Sequence, residues 1–386
     1  MSSDSRSVKK IKLALIHPQY RPDGGAERSF MNTLGALGRD VHITIISRSV
    51  WQTEKGVSFI KCNPFYVGRL WKKWGFARAA EKILKNVSVD IVQSWIRLPG
   101  CDIYRAGGGV YSQFLKQRRR ISSFPRRVAN DLSPYHNNKL VREKKMYQHP
   151  NLKAVICNSE MVKKELLETY DVGADKIHVI YNAVDLEFFH PSAADEFRSG
   201  TRSRLGISEK DTVFLFVGSG FERKGVGQLI PAFSELPADC HLVAVGKESN
   251  ERHYKRLAKS YGLSQRVHFT GMQSDVRPFY AAADAFVLPT LYDAFANTVL
   301  EAMACGLPVL TGEKCGAIDI IENGKNGFIC DPVDKETMAE YLNSLRSPEL
   351  RKSMGPAGRN TVEKMNMGRM RSELMSLYSR VLEETG

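Results

Sequence analysis

The sequence predicts an α/β protein made of two doubly wound parallel-sheet domains that face each other across a cleft. Three observations carry the prediction. Short apolar strands alternate with helical patterns along the chain, the mark of parallel sheets with helices on both faces. The alternation falls into two series separated by a polar stretch. The 386 residues are long for one domain and comfortable for two.

The first series reads as strands over 12–17, 42–47, 58–61, 91–94, 154–158 and 178–180. The second reads as strands over 213–218, 240–245, 267–270, 285–289, 308–311 and 327–330. Each is a short apolar run, as expected of strands buried on both faces. Helical patterns lie between them, for example over 26–37, 159–169, 226–236 and 274–282. Phe30, Leu34 and Leu37 share one face of the first, and Ser274 is a good N-cap for the last. The charged, small-residue stretch 185–208 is the linker expected between domains of 1–187 and 188–363, and 364–384 is helical in pattern. Ligands of such sheets bind outside the carboxyl ends of strands.

Composition narrows the class. No apolar run reaches the roughly 18–20 residues that span a bilayer, and the apolar part of the N-terminus, 11–16, is too short for a secretory signal. Seven cysteines are scattered without C-x-x-C or zinc spacing, which suits reduced thiols in a cytosolic protein. The net charge of +14 is uneven. Ten cations (Lys116, Arg118, Arg119, Arg120, Arg126, Arg127, Lys139, Arg142, Lys144 and Lys145) stand against Asp131 and Glu143. Such a stretch either is a solvated helix face or attracts phosphate-rich partners: anionic lipid, phosphorylated glycolipid or nucleic acid. Trp71, Trp74 and Phe76, among Arg69, Lys72 and Lys73, read equally as core aromatics or as a membrane interface.

The chemistry concentrates in 290–309, TLYDAFANTVLEAMACGLPV. A strand precedes it, and 298–304 reads as a helix ended by Gly306 and Pro308. Asp293 then falls in the loop, where it suits sugar hydroxyls. Glu301, eight positions on, falls in the first helical turn, where it suits a ribose diol. The free N–H groups around Phe295, Ala296, Asn297 and Thr298 make a phosphate cradle. A second loop, Gly218-Ser-Gly-Phe-Glu-Arg-Lys-Gly225, carries Arg223 and Lys224. They read as a clamp for a diphosphate leaving group or as a basic turn, and cations at a helix start call for an anion.

Gly24 and Gly25, flanked by Asp23 and Glu27, permit either an ordinary tight turn or close approach of a ligand to backbone. Gly271-Met272 reads as a strand–turn junction or as another close approach. The segment 100–111, GCDIYRAGGGVY, has Gly107, Gly108 and Gly109 in succession, with Asp102 and Arg105 as polar candidates. There is no Asp-x-Asp for a diphosphate-bound metal, no Gly-x-Ser-x-Gly elbow and no P-loop.

Together these motifs resemble the family 4 nucleotide-sugar glycosyltransferases, in particular the bacterial lipopolysaccharide-core α-glucosyltransferase branch. The resemblance covers nearly the whole chain. It implies a GT-B fold with two Rossmann-like domains, the tail 364–386 packing back on the first, and retention of anomeric configuration. The implied donor is a UDP-sugar and no metal or other cofactor is expected; the implied acceptor is a phosphorylated, lipid-linked saccharide. By the same resemblance Glu301 holds the ribose diol, Asp293 the donor-sugar hydroxyls, and Arg223 and Lys224 the departing diphosphate. Gly24, Gly25 and Gly218 lie near the donor, the backbone at Gly271-Met272 reads the base, and Asp23, Asp102, Arg105, Gly107 and Gly108 line the acceptor side. Asn182 and Asp185 match the family's hinge and are expected to be structural.

The chain departs from the family at several points. Asp293 stands where Glu is usual, Ser219 where Arg is common, and Gly108 and Tyr111 where relatives carry an acid and a His. No carboxylate stands out as a covalent nucleophile, which fits a front-face mechanism in which the leaving phosphate accepts the acceptor's proton. The basic stretch from position 116 to 145 would hold the enzyme peripherally on the anionic inner face of the cell membrane. Two other readings stay open. One is a GT-B epimerase or phosphorylase, since fold does not set function. The other is a non-enzymatic basic nucleic-acid-binding protein, although no nucleic-acid module is visible and no specific nucleic acid is expected.

Overall fold

The computed structural model describes residues 10–18, 25–38, 41–49 and 56–384. Its first sheet contains β1 (Ile11–Ile16), β2 (Val41–Ser47), β3 (Val57–Lys61), β4 (Ile91–Ser94), β5 (Ile103–Arg105), β6 (Ala154–Cys157) and β7 (Ile177–Val179). Their order is β3-β2-β1-β4-β5-β6-β7. The second contains β8 (Thr212–Val217), β9 (Cys240–Val245), β10 (Val267–Gly271), β11 (Ala285–Leu288), β12 (Val309–Gly312) and β13 (Gly327–Cys330), in the order β10-β9-β8-β11-β12-β13. Every pairing is parallel. In each sheet the order reverses once, between β1 and β4 and between β8 and β11. A crevice opens at the carboxyl ends at such a switch point.

The central strands explain their own position. All six residues of β8, TVFLFV, are buried, which a parallel strand covered on both faces requires. Acids just before strands fasten their neighbours: Asp90 accepts the Lys12 N–H at 2.8 Å, Asp102 the Val92 N–H at 2.8 Å and Asp284 the Val213 N–H at 2.7 Å. β5 is the strand the apolar pattern does not reveal. It has three residues and ends in Arg105, a fully buried cation that breaks the hydrophobic run.

Part of the expected linker is a helix. Ala193–Leu205 packs on the second unit, with Arg202 fully buried and paired to Asp284 at 2.7 Å. Its charge pattern reads as solvated because the buried partner, Asp284, is distant in sequence. The chain returns beside its first crossing, where the Val184 N–H donates to the Met365 carbonyl at 3.0 Å. The helix Met367–Glu383 then packs on the first unit: Met370, Leu374, Leu377 and Tyr378 join Leu13, Leu15, Phe30 and Leu34 in one core. The Tyr378 hydroxyl donates to Gln93 Oε1 at 2.8 Å. Among the described residues no helix is long and apolar enough to cross a membrane.

Candidate active site

The loops after β8 and β11 meet at the second sheet's switch point. Gly225 allows the meeting: its φ is +80°, and a Cβ there would lie 1.9 Å from the Pro289 carbonyl oxygen. The Arg223 carbonyl accepts the Leu291 N–H at 2.9 Å and the Thr290 hydroxyl at 3.1 Å. The Arg223 guanidinium donates to Asp293 Oδ2 at 2.8 Å and to the Tyr292 carbonyl at 3.0 Å. Lys224 Nζ lies 2.5 Å from the same Asp293 oxygen. Lys224 is nearly buried, while the Arg223 side chain is 39% exposed and reaches the cleft.

Burial alone would raise the Asp293 carboxyl. Lys224 and Arg223 outweigh it and hold the group well below the ordinary carboxylate range. The cluster of two cations and one anion keeps a single net positive charge. The anion that the two cations call for is thus supplied, in this state, by Asp293. The helix-dipole argument needs correcting too. Arg223 and Lys224 close a one-turn helix, Phe221–Lys224, at the end where cations are favoured.

The helix that follows Asp293 is Asn297–Ala304, one residue longer at its start than the pattern suggests, so Glu301 lies past the first turn. Glu301 is 3% exposed and accepts the Tyr280 hydroxyl at 2.9 Å. At the helix start the Thr298 hydroxyl is buried without a hydrogen-bond partner, and Asn297 accepts from the Asn182 amide at 2.6 Å. That bond ties the helix to the hinge, because Asn182 Oδ1 also accepts from Ser29 at 3.1 Å and from Arg105 at 3.0 Å.

The opposite wall comes from the first unit. A cleft pocket of about 280 Å³ is lined by Phe114 and Arg118 on one side and by Gly220, Glu222, Arg223, Glu248 and Leu291 on the other. Arg118 and Arg126 reach across to Glu222 at 3.0 and 2.6 Å, and Arg120 to Asp331 at 2.5 Å. Burial alone would raise the Glu222 carboxyl; Arg126 and Arg118 outweigh it and lower it.

Two family models match the chain: "Glycosyltransferase Family 4" over residues 23–188 and "Glycosyl transferases group 1" over 198–361. This chain belongs to the family 4 glycosyltransferases. The lipopolysaccharide glucosyltransferase WaaG of Escherichia coli is 26% identical over 337 residues, spanning 84% of this chain and 86% of its own. The crystal structure of WaaG, described as a glycosyltransferase involved in lipopolysaccharide biosynthesis, superposes with a TM-score of 0.82 at 23% identity, covering 95% of this chain and 99% of that one. The Anabaena protein Alr3699/HepE in complex with UDP-glucose superposes with a TM-score of 0.74 at 19% identity, covering 96% and 100%. The fold is GT-B: two parallel-sheet, Rossmann-like units.

In this glycosyltransferase Arg223, Lys224 and Asp293 converge, and Asp293 Oδ1 accepts the Phe295 N–H at 3.3 Å, so that N–H of the expected phosphate cradle is taken. Gly218 directly follows β8, and Gly271 (φ +70°) ends β10 beside an exposed Met272. Gly25 opens the helix Gly25–Leu37, while Asp23 and Gly24 lie outside the described residues. Gly107 and Gly108 are exposed on a loop that follows β5. Two acceptor-side expectations are corrected. Asp102 precedes β5, at the amino end of the sheet, and its carboxylate is taken by the Val92 amide. Arg105 is fully buried against Asn182 and the Ile180 carbonyl, so it braces the hinge rather than lining the cleft.

The basic stretch also reads differently in three dimensions. Besides the cross-cleft arginines, Arg119 pairs with Asp131 at 2.7 Å and Lys139 lies 3.6 Å over the Tyr111 ring. Glu143, counted in the sequence as a mere counter-charge, is buried and accepts from Arg97, the Tyr111 N–H and the Tyr170 hydroxyl. It secures the helix Tyr111–Arg120 directly after the glycine loop. Of the aromatic triad, Phe76 is core while Trp71 and Trp74 are each more than 40% exposed. Sequence reasoning overlooked Tyr292, Glu165 and Glu222. Tyr292 and Glu222 lie inside motifs already singled out, next to Asp293 and Arg223, and that adjacency was the available signal.

Proposed function

We propose that the chain transfers a hexose or N-acetylhexosamine from a UDP-sugar, with retention, to a lipid-linked phosphorylated saccharide of the lipopolysaccharide-core kind. The observation that carries this reading is the Arg223–Lys224–Asp293 cluster on a cleft wall, with Glu301 on the helix Asn297–Ala304 that follows Asp293. The donor class is supported by the UDP-glucose complex of Alr3699/HepE, and the acceptor class by the name of WaaG.

In this reading the diphosphate accumulates negative charge as the bond to the anomeric carbon breaks. Arg223 and Lys224 stabilise that charge, which is worth most in a cleft closed to water. Glu301, fixed by Tyr280, accepts the ribose diol. Asp293 holds the two cations in register, and its other oxygen, which accepts the Phe295 N–H at 3.3 Å, has a second lone pair for donor hydroxyls. The acceptor hydroxyl attacks on the face the diphosphate leaves, and its proton passes to a phosphate oxygen. These cations do the work a divalent metal would otherwise do, so chelator leaves the rate unchanged.

The membrane-facing part of the proposal is a stripe on the helix Phe124–Asp131 and its cap. Phe124, Val128 and Leu132, spaced four apart, are 77%, 42% and 73% exposed beside Arg126 and Arg127. An apolar stripe flanked by cations suits an anionic lipid surface, and the proposed location is the inner face of the cell membrane.

The test is UDP release from a panel of UDP-sugars, with and without truncated lipopolysaccharide, for wild type and Glu301→Ala. The expected result is acceptor-dependent release with one donor, lost in the variant. Release with no UDP-sugar but with another nucleotide class would overturn the donor. Conversion of the donor to its epimer without acceptor would replace transfer by epimerisation.

A further inference from the structure

We propose that Tyr292 is a positioning residue for the transfer: its hydroxyl registers the 107–110 glycine loop of the first unit against the Arg223–Lys224–Asp293 cluster of the second. The inference rests on the glycosyl-transfer reading and extends it to a side chain that is neither one of its acids nor one of its cations.

Tyr292 is 2% exposed although it lies between the two units. Its hydroxyl accepts the Val110 N–H at 2.8 Å and donates to Glu165 Oε2 at 2.7 Å, both partners in the first unit. Its own carbonyl accepts from the Arg223 guanidinium at 3.0 Å, and Asp293 is the next residue. One residue therefore joins the cation clamp to the glycine loop. Gly109 shows how close the approach is. Its φ is +66°, and a Cβ there would fall 2.3 Å from the Tyr292 hydroxyl, so glycine is required twice over.

A second path closes on the same point. The other Glu165 oxygen is 3.5 Å from Lys314 Nζ, and the Lys314 carbonyl accepts the Asp293 N–H at 2.9 Å. A buried hydroxyl whose donor and acceptor are both used across two bodies specifies one separation between them. Transfer needs the acceptor oxygen within about 3–3.5 Å of the anomeric carbon, so lost register slows transfer more than it weakens donor binding.

Tyr292→Phe keeps the ring, including its edge contact with Phe114 at 6.4 Å, and removes the hydroxyl alone. The expected result is UDP affinity within about twofold of wild type by calorimetry, with the kcat of acceptor-dependent UDP release roughly 5- to 50-fold lower. Acceptor-independent hydrolysis takes a larger share of the release. Glu165→Gln still accepts the hydroxyl bond and keeps most of the turnover. Glu165→Leu matches Tyr292→Phe, and the double variant is no worse than either. Hydrogen exchange of the 107–114 backbone, read without turnover, speeds up in Tyr292→Phe and not in Glu165→Gln. Wild-type turnover in Tyr292→Phe, or a loss shared equally by UDP affinity and kcat, overturns the proposal. Should the wild type act on no nucleotide sugar, the transferase reading falls by itself. The exchange experiment then decides the contact separately: unchanged protection in Tyr292→Phe overturns it and faster exchange supports it.

Discussion

Replacing Asp293 by Asn removes one negative charge from between two cations and changes almost nothing in shape. Lys224, its side chain 10% exposed, then keeps a charge with no anion beside it, the situation that costs roughly 3–5 kcal/mol for a buried pair. Two features reduce that figure. The Arg223 side chain is 39% exposed, so solvent screens its share to no more than about 1 kcal/mol, and the Asn oxygen still accepts one bond. The expected loss is about 2–4 kcal/mol. Spread over a unit the size of 188–363, that lowers the melting temperature by roughly 4–16 °C. UDP recovers more stability in the variant than in wild type, since a phosphate takes the place of the lost carboxylate on both cations.

The pH dependence has a definite sign. The Asp293 pKa is depressed in the folded state, so its contribution is present above the unfolded value of about 3.9 and is lost as pH falls below it. The difference between wild type and Asp293→Asn is therefore flat from about pH 5 to 8 and shrinks in acid. Thermal melts of both proteins across pH, with and without UDP, measure all of this. An Asn variant as stable as wild type at pH 7, or one that UDP stabilises less than wild type, refutes the claim that the carboxylate holds the clamp.

Two further outcomes follow from the cleft and the basic stretch. Glu222→Ala removes the anion shared by Arg118 and Arg126; both pairs are partly exposed, so together they contribute about 1 kcal/mol at low salt. The variant has a larger radius of gyration by X-ray scattering at low salt, a difference that vanishes at about 1 M salt, where charges are screened within about 3 Å. Substituting Phe124 and Leu132 together by Ser weakens sedimentation with anionic vesicles and leaves the already weak binding to neutral vesicles unchanged; equal binding to anionic vesicles removes the membrane stripe. Substituting Arg118, Arg119 and Arg120 together is a less clean probe, because two of the three also bridge the cleft.

The two-sheet architecture, twelve of the thirteen strands among the described residues and the loops at the second sheet's switch point were legible in the chain because each depends on local pattern. An apolar run bounded by turn residues is a buried strand wherever it occurs, and an acid eight residues before another across a helix start keeps that spacing in any fold. The strand that escaped notice, β5, is the one in which a cation replaces an apolar residue; Arg105 donates from Nη2 to the Ile180 carbonyl and the Asn182 amide oxygen, while its Nε and Nη1 are buried without a hydrogen-bond partner. The family resemblance puts Asp102 on the acceptor side. Whether it lies before or after its strand decides which end of the sheet it occupies, and that is known only once β5 is placed.

Partners distant in sequence lay beyond the reach of such patterns. Glu222 and Arg118 are 104 positions apart and Tyr292 and Glu165 are 127 apart, yet each pair meets in the cleft. The sequence by itself determined which residues carry charge, which loops lack side chains and where most of the buried strands lie. The tertiary structure alone decided that Asp293 is the counter-ion of its own clamp, that the basic stretch spends half of its arginines across the cleft, and that Tyr292 joins the two units. The physical reason is that an ion pair or a buried hydrogen bond is set by distance and exclusion of water, and neither quantity is encoded at any single position of the chain.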